Sequence, residues 1–196
     1  MAALTLKPGP ERLELYAALK NTGDTPVCSP AFSVELLDHE AQPLASGLTG
    51  LLVPSFYALT DDSGNIAACV APGETAMGAI RDLPAELAHE HVGALVYFCN
   101  FWTLEGAPLV GLEIDDVRPI VGDGGAAFAG SLRNGFDVAL SAPAVAVFAL
   151  SASGRPLDLA LAEGSDDVAP GETWEFETQV VSEPGAAQAA FPLHGP

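Results

Sequence analysis

The residues of this chain that could take part in catalysis or bind a metal include three Cys, four His and 26 Asp and Glu. The chain has no Gly-x-Ser-x-Gly segment, which would hold a hydrolase nucleophile at a sharp turn. Gly122-Asp123-Gly124-Gly125 is not followed by the Lys-Ser/Thr pair of a phosphate-binding loop, and we expect a turn there. Two carboxylates suffice for glycoside cleavage, so that chemistry stays open from the residues alone. We predict a protein without enzymatic activity and without a cofactor.

Two segments contain residue types that bind metals. His89-Glu90-His91 supplies at most three ligands, and no further Cys or His lies nearby in the sequence to complete a site. Asp61-Asp62-Ser63-Gly64-Asn65 is similar to part of a calcium loop but lacks the regular spacing and the closing Glu. The sequence predicts no metal site, and calcium coordination shared between acidic loops is the alternative.

The elements that must position these residues occur twice. Residues 19–44 align without gaps to residues 132–157 at an offset of 113, with nine identical positions. Ala71-Pro72-Gly73-Glu74-Thr75 recurs as Ala169-Pro170-Gly171-Glu172-Thr173 at an offset of 98. The same order of two blocks predicts an internal duplication. The difference between the offsets gives the first copy 15 extra residues, which we expect to form an inserted loop near 53–65.

Each copy has the pattern of short β-strands separated by turns. Leu13, Leu15 and Ala17 alternate with Glu14 and Tyr16, which is the period of a half-buried strand. The twenty Gly and sixteen Pro of the chain suit frequent turns. The sequence therefore predicts an all-β fold of antiparallel sandwiches, one over residues 1–107 and one over residues 108–196.

The duplication bears on the cysteines. Cys28 aligns with Ser141 and Cys69 with Asp167, so the second copy lacks both cysteines together. We predict a disulfide between Cys28 and Cys69, with Cys99 as a buried free thiol. Other pairings, or three free thiols, stay open.

An aromatic segment precedes the second copy. If residues 96–102 form one strand, alternation places Phe98 and Trp102 on the same face. That face could pack between the domains or bind a partner, and we favour packing between the domains.

Charge and hydropathy exclude some partners. Seven Lys and Arg against 26 Asp and Glu give a formal net charge of −19. Binding to a nucleic-acid backbone requires many cations, so we predict no nucleic acid partner. No apolar run reaches the ~18 residues of a membrane helix, and no secretory leader is recognisable at the N-terminus, so we expect no membrane insertion by this chain.

Lys20-Asn21 at a strand end, Val34-Glu35-Leu36-Leu37-Asp38 and the turn at Ala71–Thr75 follow one another in an order that resembles FxLYD-type domains. These are immunoglobulin-like sandwiches found chiefly in secreted or lipid-anchored bacterial proteins. The resemblance implies two tandem immunoglobulin-like domains and an extracytoplasmic, non-enzymatic role. It carries over no functional residues, because the motif marks positions of the fold.

Together these features predict a structural or protein-interaction module with an unidentified protein partner, as a monomer or a weak homodimer. The alternative is a carbohydrate- or calcium-binding accessory module that uses the acidic loop of the first copy. We expect the function in the first copy or at the junction, and a supporting role for the second copy.

Overall fold

The structure is a computed structural model, and it describes residues 2–58, 66–90, 93–99, 102–103, 108–109 and 111–193. Contacts divide the chain into two compact units. Unit 1 comprises Met1–Leu51 and Val70–Glu105, and unit 2 comprises Leu52–Cys69 and Gly106–Pro196.

The elements that begin in the first half of the chain are β1 (Ala2–Pro8), β2 (Arg12–Lys20), β3 (Val27–Cys28), β4 (Ala31–Leu37), β5 (Pro43–Gly50), β6 (Ser55–Ala58), β7 (Ile66–Val70), β8 (Thr75–Pro84), α1 (Leu87–Glu90) and β9 (Gly93–Cys99). Those that follow are β10 (Trp102–Thr103), β11 (Pro108–Leu109), β12 (Leu112–Gly122), β13 (Gly125–Asn134), β14 (Ala144–Leu150), β15 (Pro156–Glu163), β16 (Thr173–Glu177) and β17 (Ala187–Pro192). The helix α1 is short, and none of the helices within the described residues has the length and apolar composition needed to cross a membrane.

Unit 1 contains two three-stranded antiparallel sheets, ordered β1-β2-β8 and β5-β4-β9. The sheets pack face to face, since a Cβ on Gly78 of β8 would come within 3.2 Å of the Phe32 ring on β4. Leu13 and Leu15 of β2 and Val34 of β4 are fully buried in this unit. The alternation in the sequence of β2 thus places its leucines in the core.

Unit 2 repeats this arrangement with sheets ordered β12-β13-β16 and β15-β14-β17. Its core contains side chains from both sheets, among them Phe128 and Leu132 of β13 and Val145 and Val147 of β14. With 63% of the residues in strands and 2% in helices, the predicted all-β fold of antiparallel sandwiches is confirmed.

Asn21, directly after β2, and Asn134, the last residue of β13, fix one turn in the same way in both units. In unit 1 the side-chain amide of Asn21 donates to the carbonyl oxygens of Thr25 at 2.8 Å and Val70 at 2.9 Å, and its oxygen accepts from Gly23 N at 3.0 Å. In unit 2 Asn134 makes the same three bonds. Its partners are Val138 O at 2.8 Å, Val168 O at 2.9 Å and Phe136 N at 3.0 Å.

The Pro-Gly turn that both copies share binds the backbone of the same asparagine. Asn21 N donates to Glu74 O and Gly73 N donates to Asn21 O, each at 2.9 Å. Asn134 N and Gly171 N make the equivalent bonds at 2.9 and 2.7 Å, to Glu172 O and Asn134 O. The two sequence blocks that repeat are therefore the two halves of one hydrogen-bonded corner.

The structure differs from the predicted domain division in the inserted segment. Leu52–Cys69 belongs to unit 2, although the sequence repeat places it in the first copy. Part of this segment is a strand and not a loop, because β6 pairs with β7 and with β11. Phe56 of β6 is buried in the core of unit 2, with its ring 5.9 Å from that of Phe136 and nearly perpendicular to it. The segment forms a strand because its apolar side chains fill that core.

Candidate interaction surface

Cys28 and Cys69 form a disulfide. Both residues are fully buried, on β3 and β7. At the positions that align with them in the second sequence copy, Ser141 and Asp167 are exposed. Cys99 ends β9 opposite Ala31, and its side chain lies outside the described part of the structure.

Phe98 and Trp102 lie on strands of different sheets, and not on one alternating strand as the sequence predicts. Phe98 of β9 pairs with Phe32 of β4, whereas Trp102 of β10 pairs with Cys28 of β3. The side chains of Phe98 and Trp102 lie outside the described part, so the predicted shared face stays a prediction.

The predicted metal-ligand segments fall only partly within the structure. His89 is exposed and lies on the helix α1, not on a strand. His91 and the acidic segment from Asp61 to Asn65 lie outside the described residues. Among the residues that are described, no group of three His, Cys, Asp or Glu side chains could hold a metal ion.

A buried carboxylate on β2 is a feature that the sequence motifs did not reveal. Glu14 accepts a hydrogen bond of 2.5 Å from the Tyr16 hydroxyl, and its Oε1 lies 3.2 Å from Nε of both Arg12 and Arg81. The alternation of residues 12, 14 and 16 on one face of β2 is the signal that could have found it. A cavity of about 340 Å³ lies beside this cluster, on the β1–β2 hairpin. The carboxylate is already engaged by three donors, so the cluster serves to hold strands β2 and β8 together.

Apart from Val138 in the loop after β13, the large apolar side chains exposed in the described structure lie at two places. Leu48 and Leu95 lie on the outer face of sheet β5-β4-β9, opposite Ser33 and Glu35 respectively. The second group lies at the closed end of the β12–β13 hairpin and beside it.

Three large apolar residues form this second group. Ile120, Val121 and Val180 are 43%, 73% and 63% exposed. Val180 lies against the hairpin turn, since a Cβ on Gly125 would come within 3.0 Å of Val180 Cγ1. Asp123 and Gly124 form the turn itself, as the sequence predicts for this glycine-rich segment.

The apolar hairpin end adjoins the outer face of sheet β12-β13-β16, which we call the acidic face. Its residues follow from the strand register and are Asp115, Arg118, Ile120, Ala127, Ala129, Ser131, Glu175 and Glu177. The small side chains of Ala127, Ala129 and Ser131 form a low floor along the central strand β13. Asp115 lies opposite Ser131 on β12, and Glu175 and Glu177 lie opposite Ser131 and Ala129 on β16. The acidic face is therefore a shallow groove with an acidic wall on β16, a wall on β12 that contains both Asp115 and Arg118, and an apolar end.

The charges of this face are only partly neutralised. Arg133 pairs with Glu113 at 3.3 Å beyond one end of the floor, and Arg118 donates to the backbone oxygen of Asp116. Within the described part of the chain, no Lys or Arg lies within ion-pair distance of Asp115, Glu175 or Glu177. These exposed carboxylates therefore project a negative field over the groove.

The equivalent face of unit 1 has a different character. Tyr16 occupies the position of Ala129 and is fully buried, and Ala18, at the position of Ser131, is also buried. In unit 2 Ala129 and Ser131 are half-buried and the neighbouring Ala127 is buried, so this face is more accessible in the second copy than in the first only at residues 129 and 131.

In comparisons with family models and with curated proteins, no match to the chain is found.

Proposed function

We propose that this chain is a non-enzymatic protein-binding module that works outside the cytoplasm and binds its partner on the acidic face of unit 2. The observation that supports the proposal is the face along β13, where half-buried Ala129 and Ser131 lie between unpaired exposed carboxylates and beside an exposed apolar hairpin end. Exposed apolar groups beside polar walls are typical of protein-binding surfaces, because their burial by a partner removes apolar area from water.

The disulfide supports the proposed compartment. A disulfide between Cys28 and Cys69 persists in an oxidising environment, whereas glutathione and thioredoxin keep most cytosolic thiols reduced. Alkylation of the protein in acid-quenched cells of its source tests this part. We expect these two cysteines to resist labelling until a reductant is added, and their labelling without reductant would contradict the proposed compartment.

The binding surface can be tested before the natural partner is identified. A phage library of random 20-residue peptides is selected on the immobilised full chain. The selected peptides are then tested on Ala129→Tyr, which fills the floor of the groove with the residue that unit 1 carries at this position. The fold accepts a tyrosine there in unit 1, so the variant should stay folded, and circular dichroism checks this.

Ala152→Tyr, in the exposed turn before β15, is the matched control. We expect the selected peptides to bind the original chain and Ala152→Tyr, and to lose binding to Ala129→Tyr. The proposed function is wrong if no peptide is enriched, or if enriched peptides bind Ala129→Tyr as well as the original chain.

A further inference from the structure

We infer that the occupant of the acidic face is a cationic amphipathic helix of another protein. This inference rests on the proposed function and specifies its partner. It follows from the dimensions of the groove, from the condition of the sheet edges and from the charges of the walls.

A helix that lies over β13 would reach the side chains of both walls. The walls stand on β12 and β16, which flank β13 and are therefore two strand spacings apart, about 9.6 Å. An α-helix with its side chains is about 10–12 Å wide. Because the floor consists of alanine and serine, a helix can lie over β13 with its two flanks against the longer wall residues.

The edge of the sheet at β12 disfavours the alternative of an added strand. Pro119 cannot donate a ladder hydrogen bond, and the register of β12 is interrupted by a bulge between Asp115 and Arg118. Asp116, within this bulge, has a positive φ of 55°. Such features protect an edge strand against pairing.

A helix also satisfies its own backbone hydrogen bonds, whereas an extended segment on a sheet face would leave its N–H and C=O groups without protein partners. Covering an exposed sheet face with a helix is a common solution in protein architecture. These features favour binding on the face over addition of a strand at β12.

The chemistry of the walls determines the charge of the helix. Glu175 and Glu177 on one side and Asp115 on the other accept charge-assisted hydrogen bonds from Lys or Arg on the two flanks of a bound helix. Long basic side chains can lay their apolar stems along the floor and extend their charges to the walls. The apolar stripe between them would lie over Ala129 and end against the exposed side chains of Ile120 and Val180. A helix that is basic over Glu175, Glu177 and Asp115 and apolar between them fits these parts of the groove, while Arg118 disfavours a further basic residue opposite Ala129.

A second copy of this chain is a poorer occupant. Each copy has a formal net charge of −19, so two copies repel one another. The described α1 is only four residues long and contains Glu90. It does not offer a basic stripe.

The test uses the full chain and three synthetic 18-residue peptides. The probe contains Leu, Ala and Lys, with leucines at helical spacing i, i+3, i+4 and i+7 and lysines on both flanks. One comparison peptide keeps this composition but distributes the leucines around the helix, and the other replaces every Lys by Glu. Binding is measured by fluorescence anisotropy in ~50 mM and ~500 mM salt.

We expect the probe to bind at least about tenfold more tightly than the redistributed peptide, and the Glu peptide not to bind. Glu175→Gln with Glu177→Gln should weaken the probe roughly three- to tenfold in low salt, a loss that is smaller in high salt. Asp166→Asn with Asp167→Asn removes two exposed charges elsewhere in unit 2 and is the matched control, which should change binding less than twofold.

Three results would overturn the inference. The first is that both double variants weaken binding of the probe equally. The second is that the probe and the redistributed peptide bind equally well. The third is that the free chain dimerises through this face, with the dimer detected by light scattering. If peptides selected from the phage library depend on Ala129 but are neither basic nor helical, this inference fails while the proposed function stands. If no selected peptide depends on Ala129, both fail.

Discussion

The side-chain amide of Asn134 donates a hydrogen bond of 2.9 Å to the backbone oxygen of Val168, and through it β13 is tied to the segment that precedes the Pro-Gly turn. Asn21 and Val70 are related in the same way, at the same distance, in the other unit. Asn134 is fully buried. A short polar side chain that can both donate twice and accept once is required at this corner, and asparagine is the residue that provides this geometry.

Asn134→Ala should therefore destabilise unit 2. The substitution leaves the oxygens of Val138 and Val168 and the N–H of Phe136 without their partner, and we expect a loss of about 2–4 kcal/mol in the free energy of unfolding. Urea unfolding checks this. Arg133→Ala, at the exposed neighbouring residue, is the control and should change stability by less than about 1 kcal/mol. Equal losses in the two variants would show that the hydrogen bonds of Asn134 contribute nothing specific.

The disulfide should resist reduction in the folded protein. Cys28 and Cys69 are fully buried, so we expect reductants to reach them only when the protein opens. The crosslink closes a loop of about 40 residues, and its removal should lower stability by about 2–4 kcal/mol. Urea unfolding of Cys28→Ser with Cys69→Ser measures this loss.

The number of free thiols can be counted separately. Intact-mass analysis after alkylation in denaturant should find one labelled thiol without reductant and three with it, because the chain has three cysteines. Three labelled thiols without reductant would contradict the disulfide.

Phe56→Ala should destabilise unit 2, although residue 56 lies in the first sequence repeat. Its ring is 5% exposed and packs edge to face against Phe136, so truncation leaves a cavity. We expect a loss of about 3–5 kcal/mol. Hydrogen exchange should then accelerate in peptides from β13 and β14 before it changes in β2 and β4. Leu48→Ala, at a residue 60% exposed in unit 1, is the control and should change stability by less than about 0.5 kcal/mol.

The sequence contains enough information for the sandwich and its duplication because both depend on local patterns. Alternation in β2 and the repeated Asn and Pro-Gly corner are visible in the chain itself. The structural role of 52–69 is not visible, because the partner of Phe56 is about 80 residues away in the sequence and nothing local identifies it. The assignment of β9 and β10 to different sheets is hidden for the same reason, since each strand is defined by its partner, β4 or β3.

The acidic face could not be predicted from the sequence alone. Asp115, Ala129 and Glu177 come from three separate segments, and only the strand register brings them to one side of one sheet. The sequence favours function in the first copy because that copy contains the cysteines and the insertion. In the structure the disulfide and Phe56 belong to the buried interior, and the exposed residues on which our proposal rests lie in the second copy.

The hairpin end should depend on Gly125. This residue has φ of +136°, and a Cβ would come within 2.1 Å of the backbone oxygen of Val181. Gly125→Ala therefore combines backbone strain with a clash that only movement of the Val181 segment can relieve, and we expect a loss of at least about 2 kcal/mol. Urea unfolding measures the loss. Faster hydrogen exchange of the Ala126 amide, which donates to Val181 O at 2.9 Å, would locate the change at the hairpin.

Gly124 is the matched control for this prediction because it is the neighbouring glycine and a Cβ there would meet no atom within 4 Å. Gly124→Ala should leave stability within about 0.5 kcal/mol of the original chain. Since Val180 and Val121 flank this turn, Gly125→Ala should also weaken peptides that bind the acidic face, whereas Gly124→Ala should not. If both variants unfold at the same urea concentration, the close approach of Gly125 to Val181 does not determine the structure of this hairpin.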